Sequence, residues 1–382
     1  MQFDILDYII FGLIIFGVVG LSLAVFLFSY YDRGPKLVQK AMNYRGPERQ
    51  RILCEAIEII EKQLSNKLGD LTNAGKMELS FTLGLAYEGL ATEMDDNSYF
   101  ELALTTIQKS NEYVDKGKNP EKYIQRKESL GRIRKKMSTK GDKVRNLELA
   151  IHQLEDGLSV ANIQGTSTRR PYLLVELANI NVELLSIKKD IQYANVAIEY
   201  TQDYMTSGKM DGNMLQYYGG FYQLANIYYL LFEITHQQSE LNLSLENSSR
   251  ALEGFNLMEG YVMNDFNKMG IDLETIKMKN NMKKKLALLK LKIMSVRLTT
   301  FLRFAEIENP RDNLEKAGMT TTEIRKMDDL KEFEAFHKMV DTMDQIIERM
   351  RNGETYEQAS VDNVVRDMNS MSIESFYPPE TT

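Results

Sequence analysis

Apolar residues along the chain recur at spacings of three, four and seven, the period of a helix that buries one face. The pattern itself also recurs. Leu83-Gly84, Leu130-Gly131, Leu177-Ala178 and Leu224-Ala225 stand 47 residues apart, and seven residues after each leucine come Leu90, Met137, Leu184 and Leu231. A second column holds Ala56-Ile57, Ala103-Leu104, Ala150-Ile151, Ala197-Ile198 and Ser244-Leu245, with Leu53, Phe100, Leu147, Ala194 and Leu241 three residues earlier. A small residue beside a large aliphatic one at the same place in every unit suits two packed helices: the small one lets the backbones approach and the large one fills the groove. Between the columns lie Asp95-Asp96-Asn97-Ser98, Thr139-Lys140-Gly141-Asp142 and Thr206-Ser207-Gly208, whose composition predicts turns. Each unit therefore reads as a hairpin of two helices. A lone hairpin leaves one apolar face bare, so the units are expected as an array in which each covers its neighbour.

The predicted class is all-α, with an α-solenoid of about five hairpins over residues 48–255 and C-terminal capping helices over 256–352. Leu83-Gly84-Leu85-Ala86-Tyr87 resembles a first helix of the tetratricopeptide (TPR) family, and Phe100-Glu101-Leu102-Ala103 with Ile107 and Ser110 resembles its second; Leu224-Ala225-Asn226-Ile227-Tyr228 repeats the first pattern. The resemblance covers roughly residues 48–252. The 47-residue period exceeds the family's usual ~34 and also falls in the range of HEAT repeats. Gly84 and Ala103 are 19 residues apart, a longer step than the family's, and the family's closing proline is missing. Longer helices would account for this, as in the repeats of kinesin light chains. What the resemblance implies is a concave groove that recognises proteins or peptides.

Ahead of the repeats, residues 8–30 carry no charge, a run long enough to cross a hydrocarbon core of about 30 Å. It predicts a transmembrane anchor over residues 1–31, in contact with the lipid bilayer through 8–30, and a basic juxtamembrane linker over 32–47. Arg33, Lys36, Lys40, Arg45, Arg49 and Arg51 follow the run and no cation precedes it. By the positive-inside rule this predicts a single-pass membrane protein with an exported N-terminus and a cytoplasmic body.

Composition narrows the function. Only 7 prolines in 382 residues favours helix, and a net charge of -7 argues against nucleic acid as a partner. His152, His236 and His337 share no ligand spacing, and the single Cys54 sits one place from the apolar column of its helix, as a semi-buried thiol would. No phosphate-cradling glycine loop is present. The expectation is a protein that is not an enzyme and holds no cofactor or metal.

Three features offer partner chemistry instead. Asn179 and Asn226 share one repeat position, held by Leu85 and Arg132 in the other units, and their carboxamides could hold the backbone of an extended peptide. Some TPR proteins resemble this in using an asparagine ladder. Residues 277–303 hold nine cations and no acid, among them Lys283, Lys284, Lys285, Lys290 and Lys292, beside an apolar stripe of Met282, Leu286, Leu289, Ile293 and Val296. This predicts a basic amphipathic helix that either caps the repeats or meets anionic lipid or an acidic protein segment. Thr320 with Glu323 predicts a capping box, and Phe333, Phe336, Val340, Met343, Ile347 and Met350 predict a helical seam that pairs within the chain. Residues 353–382 read as an acidic mobile tail. The expected function is a membrane-tethered adaptor or scaffold that recruits partner proteins, the alternative being a translocation receptor or chaperone docking site.

Overall fold

The computed structural model describes residues 32–65, 72–165, 167–268, 273–327 and 334–353, and of residues 261–268, 273–282, 284, 285, 334–336 and 339 the backbone alone. Every regular element among them is a helix, so the all-α expectation holds. The helices are α1 (32–41), α2 Gly46–Ser65, α3 Asn73–Met94, α4 Asn97–Glu112, α5 Pro120–Met137, α6 Lys143–Gln164, α7 Arg170–Lys188, α8 Ile191–Met210, α9 Met214–Thr235, α10 Gln238–Lys268, α11 Leu273–Ile307, α12 Pro310–Arg325 and α13 Glu334–Arg351. The chain forms two compact units, Met1–Leu173 and Leu174–Thr382.

In the first unit each helix from α2 to α5 packs on the next. Two of the expected turns are turns. Asp95 closes α3 in the left-handed region (φ 57) and Asp96 opens α4 by accepting from the Ser98 N–H at 2.8 Å. Asp142 opens α6 by accepting from the Arg145 N–H at 3.0 Å. These side chains satisfy amides that have no partner inside the helix. Leu83 and Leu130 are buried, as are Ala56, Ala103 and Ala150. The two columns meet. A Cβ on Gly84 would stand 2.4 Å from Ile107 Cγ1 and 3.3 Å from the Ala103 carbonyl, and one on Gly131 would stand 2.6 Å from Leu154 Cγ and 3.4 Å from the Ala150 carbonyl. The same close approach thus recurs at 47 residues. Residues 32–41, expected as linker, are helical, and Val38 and Ala41 join the core of α2.

In the second unit α8 packs on α9, and each helix from there to α13 on its successor. Leu177, Leu224, Ala197 and Ser244 are buried at the repeat positions, and Ser244 Oγ donates to the Ala225 carbonyl at 2.8 Å. The third expected turn is corrected: Thr206-Ser207-Gly208 lies inside α8, and the chain reverses after Asp211, where Asn213 caps α9. Gly208 marks a close approach instead, since a Cβ there would stand 2.7 Å from Gln216 Cγ and 3.0 Å from the Tyr217 nitrogen. The capping box is corrected too. Thr320 lies within α12 and its hydroxyl donates to the Lys316 carbonyl at 2.9 Å, while Asn309 and Pro310 begin the helix. The seam does pair within the chain: Val340, Met343 and Ile347 join one core with α11 and α12. Phe333 and the Phe336 side chain lie outside the described residues.

Among the described residues no helix is long and apolar enough to cross a membrane. The expectation of a single-pass membrane protein with an exported N-terminus and a cytoplasmic body is corrected accordingly, for no helix found here can serve as its span. The uncharged run at 8–30 and the tail from 354 lie outside the described residues.

Candidate functional site

Every other helix, α3, α5, α7 and α9, carries the leucine column inward, and within each unit polar residues link two of these helices. In the first unit the links are ionic. Glu78 of α3 pairs with Lys122 of α5 at 2.5 Å, and Asp95, at the end of α3, with Lys140. Between them the Glu88 carboxylate, almost wholly buried, accepts from Arg132 Nε at 2.9 Å, Arg132 Nη2 at 2.8 Å and Lys136 Nζ at 3.0 Å. Burial alone would raise this carboxyl, but the bonds and charge of Arg132, joined by Lys136, hold it below the usual carboxylate range. Glu128 takes Arg169 at 2.6 Å. Arg126, fully buried, donates to Ser110 Oγ at 2.8 Å and lies 4.5 Å from the centre of the Phe81 ring.

In the second unit the corresponding link between α7 and α9 is a pair of carboxamides. Asn179 is exposed and its Oδ1 accepts from Gln223 Nε2 at 2.9 Å; Gln223 Oε1 is buried with no hydrogen-bond partner. Asn226, one turn beyond Gln223, is half-buried. The two predicted asparagines therefore share a side of their helices, but Asn179 meets Gln223, which the 47-residue alignment does not single out. The signal lies in a different offset: Glu88 to Arg132 and Asn179 to Gln223 are both steps of 44. Between α9 and α11 the link is ionic again. Glu233 receives Arg303 Nε at 2.8 Å and Nη2 at 3.0 Å, both side chains almost fully buried.

The basic helix is more deeply packed than one apolar stripe requires. From Leu286 to Ala305, α11 is buried on nearly all sides, in one core with α10, α12 and α13. Lys283, Lys290, Lys292 and Arg297 are half-buried, and burial lowers the Lys292 ammonium below its ordinary range. The side chains of Lys284 and Lys285 lie outside the described residues. Cys54 is exposed, correcting the semi-buried expectation: it points away from the face that buries Leu53 and Ala56. His152 and His337 are exposed on α6 and α13, and His236 closes α9 in the left-handed region (φ 57). Among the described residues no three His, Cys, Asp or Glu side chains are gathered for a metal ion.

No protein-family model matches the sequence, and no curated protein matches it. The chemistry of these faces is therefore read from the residues alone. They offer fixed hydrogen-bonding groups and paired charges.

Proposed function

We propose that the chain is an interaction scaffold built from TPR-like helical hairpins at a 47-residue period, and that the α7–α9 face holds a partner polypeptide by its backbone. The observation that carries this reading is the Asn179–Gln223 bond. It fixes two carboxamides across α7 and α9 and leaves the amide donor of the exposed Asn179 for a partner. A peptide group presents the complementary carbonyl, so Asn179, held in place by Gln223, can bind main chain with little regard for side chains. Asn226 extends the same face by one turn. The repeat columns support the scaffold part of the reading, because a chain of hairpins offers a long run of such faces.

The test is a photo-crosslinking residue placed at position 226 in the source cell, followed by calorimetry with the captured polypeptide. Asn226→Ala and Gln223→Ala should each weaken binding by about 0.5–1.5 kcal/mol, and the loss should persist at high salt. Lowered melting temperatures with unchanged affinity would instead make these residues inter-helix contacts only, and the reading would fall.

A further inference from the structure

Lys283, Lys290 and Arg297 recur every seven residues along α11, two turns and about 10.5 Å of helix, so they stand in one row. All three are half-buried. Lys290 Nζ lies 5.8 Å from the centre of the Phe255 ring, and the Arg297 guanidinium 5.5 Å from that of Phe301. Rings thus hold two of these cations, but none of the three has a carboxylate partner among the described residues, and Arg297 Nε is buried without an acceptor.

Several half-buried cations elsewhere are paired instead. Half-buried Arg49, Lys127, Arg132 and Arg169 each meet a carboxylate, at 2.7 Å (Glu93), 2.7 Å (Asp156), 2.8 Å (Glu88) and 2.6 Å (Glu128). A partly desolvated cation has lost hydration without gaining a counter-charge, so an incoming carboxylate gains more there than at a free surface lysine.

We propose that the row of Lys283, Lys290 and Arg297 docks an acidic polypeptide segment, whose carboxylates meet successive cations two helical turns apart. Partial burial favours a polypeptide over a lipid surface, because a carboxylate on a flexible side chain can reach along half-buried residues, whereas a flat bilayer meets the cations that project. Lys292 is not part of the row, since a step of two residues from Lys290 turns it about 200° around the helix. The inference goes beyond the α7–α9 reading and stands on α11 alone, so either can fail without the other.

The test uses the full chain and a fluorescent poly-glutamate peptide, followed by anisotropy at low salt. Lys283→Gln, Lys290→Gln and Arg297→Gln together should weaken binding about tenfold. A control removes the same charge from exposed sites, Lys109→Gln, Lys118→Gln and Arg145→Gln, and should change affinity by less than about twofold. Matched helical circular dichroism shows that each variant folds; if the triple variant does not, the single Lys283→Gln and Lys290→Gln variants each should weaken binding at least about twofold. Equal losses in row and control variants, or no binding of the peptide by the unaltered chain, would overturn the proposal. So would row-dependent binding to vesicles containing phosphatidylserine with none to the peptide.

Discussion

Gly131→Ala separates two effects of opposite sign. In a helix interior alanine is favoured over glycine by about 1 kcal/mol, and α5 is helical on both sides of the site. Against this, the added Cβ would stand 2.6 Å from Leu154 Cγ and 2.7 Å from its Cδ2, with the Ala150 carbonyl at 3.4 Å. Leu154 is 2% exposed and so has no open space to retreat into. Overpacking of this kind costs about 1–3 kcal/mol. The clash wins, and the net effect should be a loss of about 1 kcal/mol.

Gly219→Ala supplies the comparison, for nothing lies within 4 Å of a Cβ there. It should stabilise by about 0.5–1 kcal/mol, the helix preference alone. Thermal and urea unfolding followed at 222 nm would measure both. Because the chain has two units, hydrogen exchange of α5 and α6 is needed to show that the Gly131 effect is local. A second variant, Leu154→Ala, makes room, so Gly131→Ala should cost less on that background, with a coupling of at least about 0.5 kcal/mol. If Gly131→Ala stabilises as much as Gly219→Ala does, the close approach of α5 and α6 at the repeat position is wrong.

Leu177→Ala, at a fully buried repeat position, should destabilise by about 2–5 kcal/mol in a melting experiment, whereas Ile163→Ala, 83% exposed, should stay within about 0.5 kcal/mol. Glu233→Gln strands Arg303, whose side chain is 6% exposed, and with Glu306 still 2.8 Å away the cost should be about 2–4 kcal/mol by urea unfolding. Glu88 is held below the usual carboxylate range, so its contribution is complete above that range and is lost as pH falls through the folded-state pKa. Melting curves of the unaltered chain and of Glu88→Gln should therefore differ most near neutrality and converge in acid; a constant gap would refute the ion-pair account.

The readable parts of this fold were those where one residue's size decides a contact. Gly84 and Gly131 recur because two helices approach closely there, Ala178 and Ala225 are buried at the same place, and that constraint writes itself into the sequence at the repeat period. Gly208 shows the limit of the same rule. A glycine between Ser207 and Lys209 looks like a turn, yet it sits in α8 because the Gln216 side chain and Tyr217 nitrogen crowd it; composition cannot separate these two uses of a missing side chain. Thr320 with Glu323 failed for a related reason, since a threonine hydroxyl that would cap an N-terminus satisfies itself equally well on the Lys316 carbonyl inside a helix. Gln223 was hidden because side-chain links between alternate helices follow the offset at which those helices lie alongside one another. That offset is 44 for both Glu88–Arg132 and Asn179–Gln223, three short of the repeat. A step of three residues keeps the same helix face, so the links move back by about one turn per unit while staying on one side. Partner chemistry in such a chain is therefore better sought at the alongside offset than at the repeat period, and by that rule the residue to test beside Asn179 is Gln223 before Asn226.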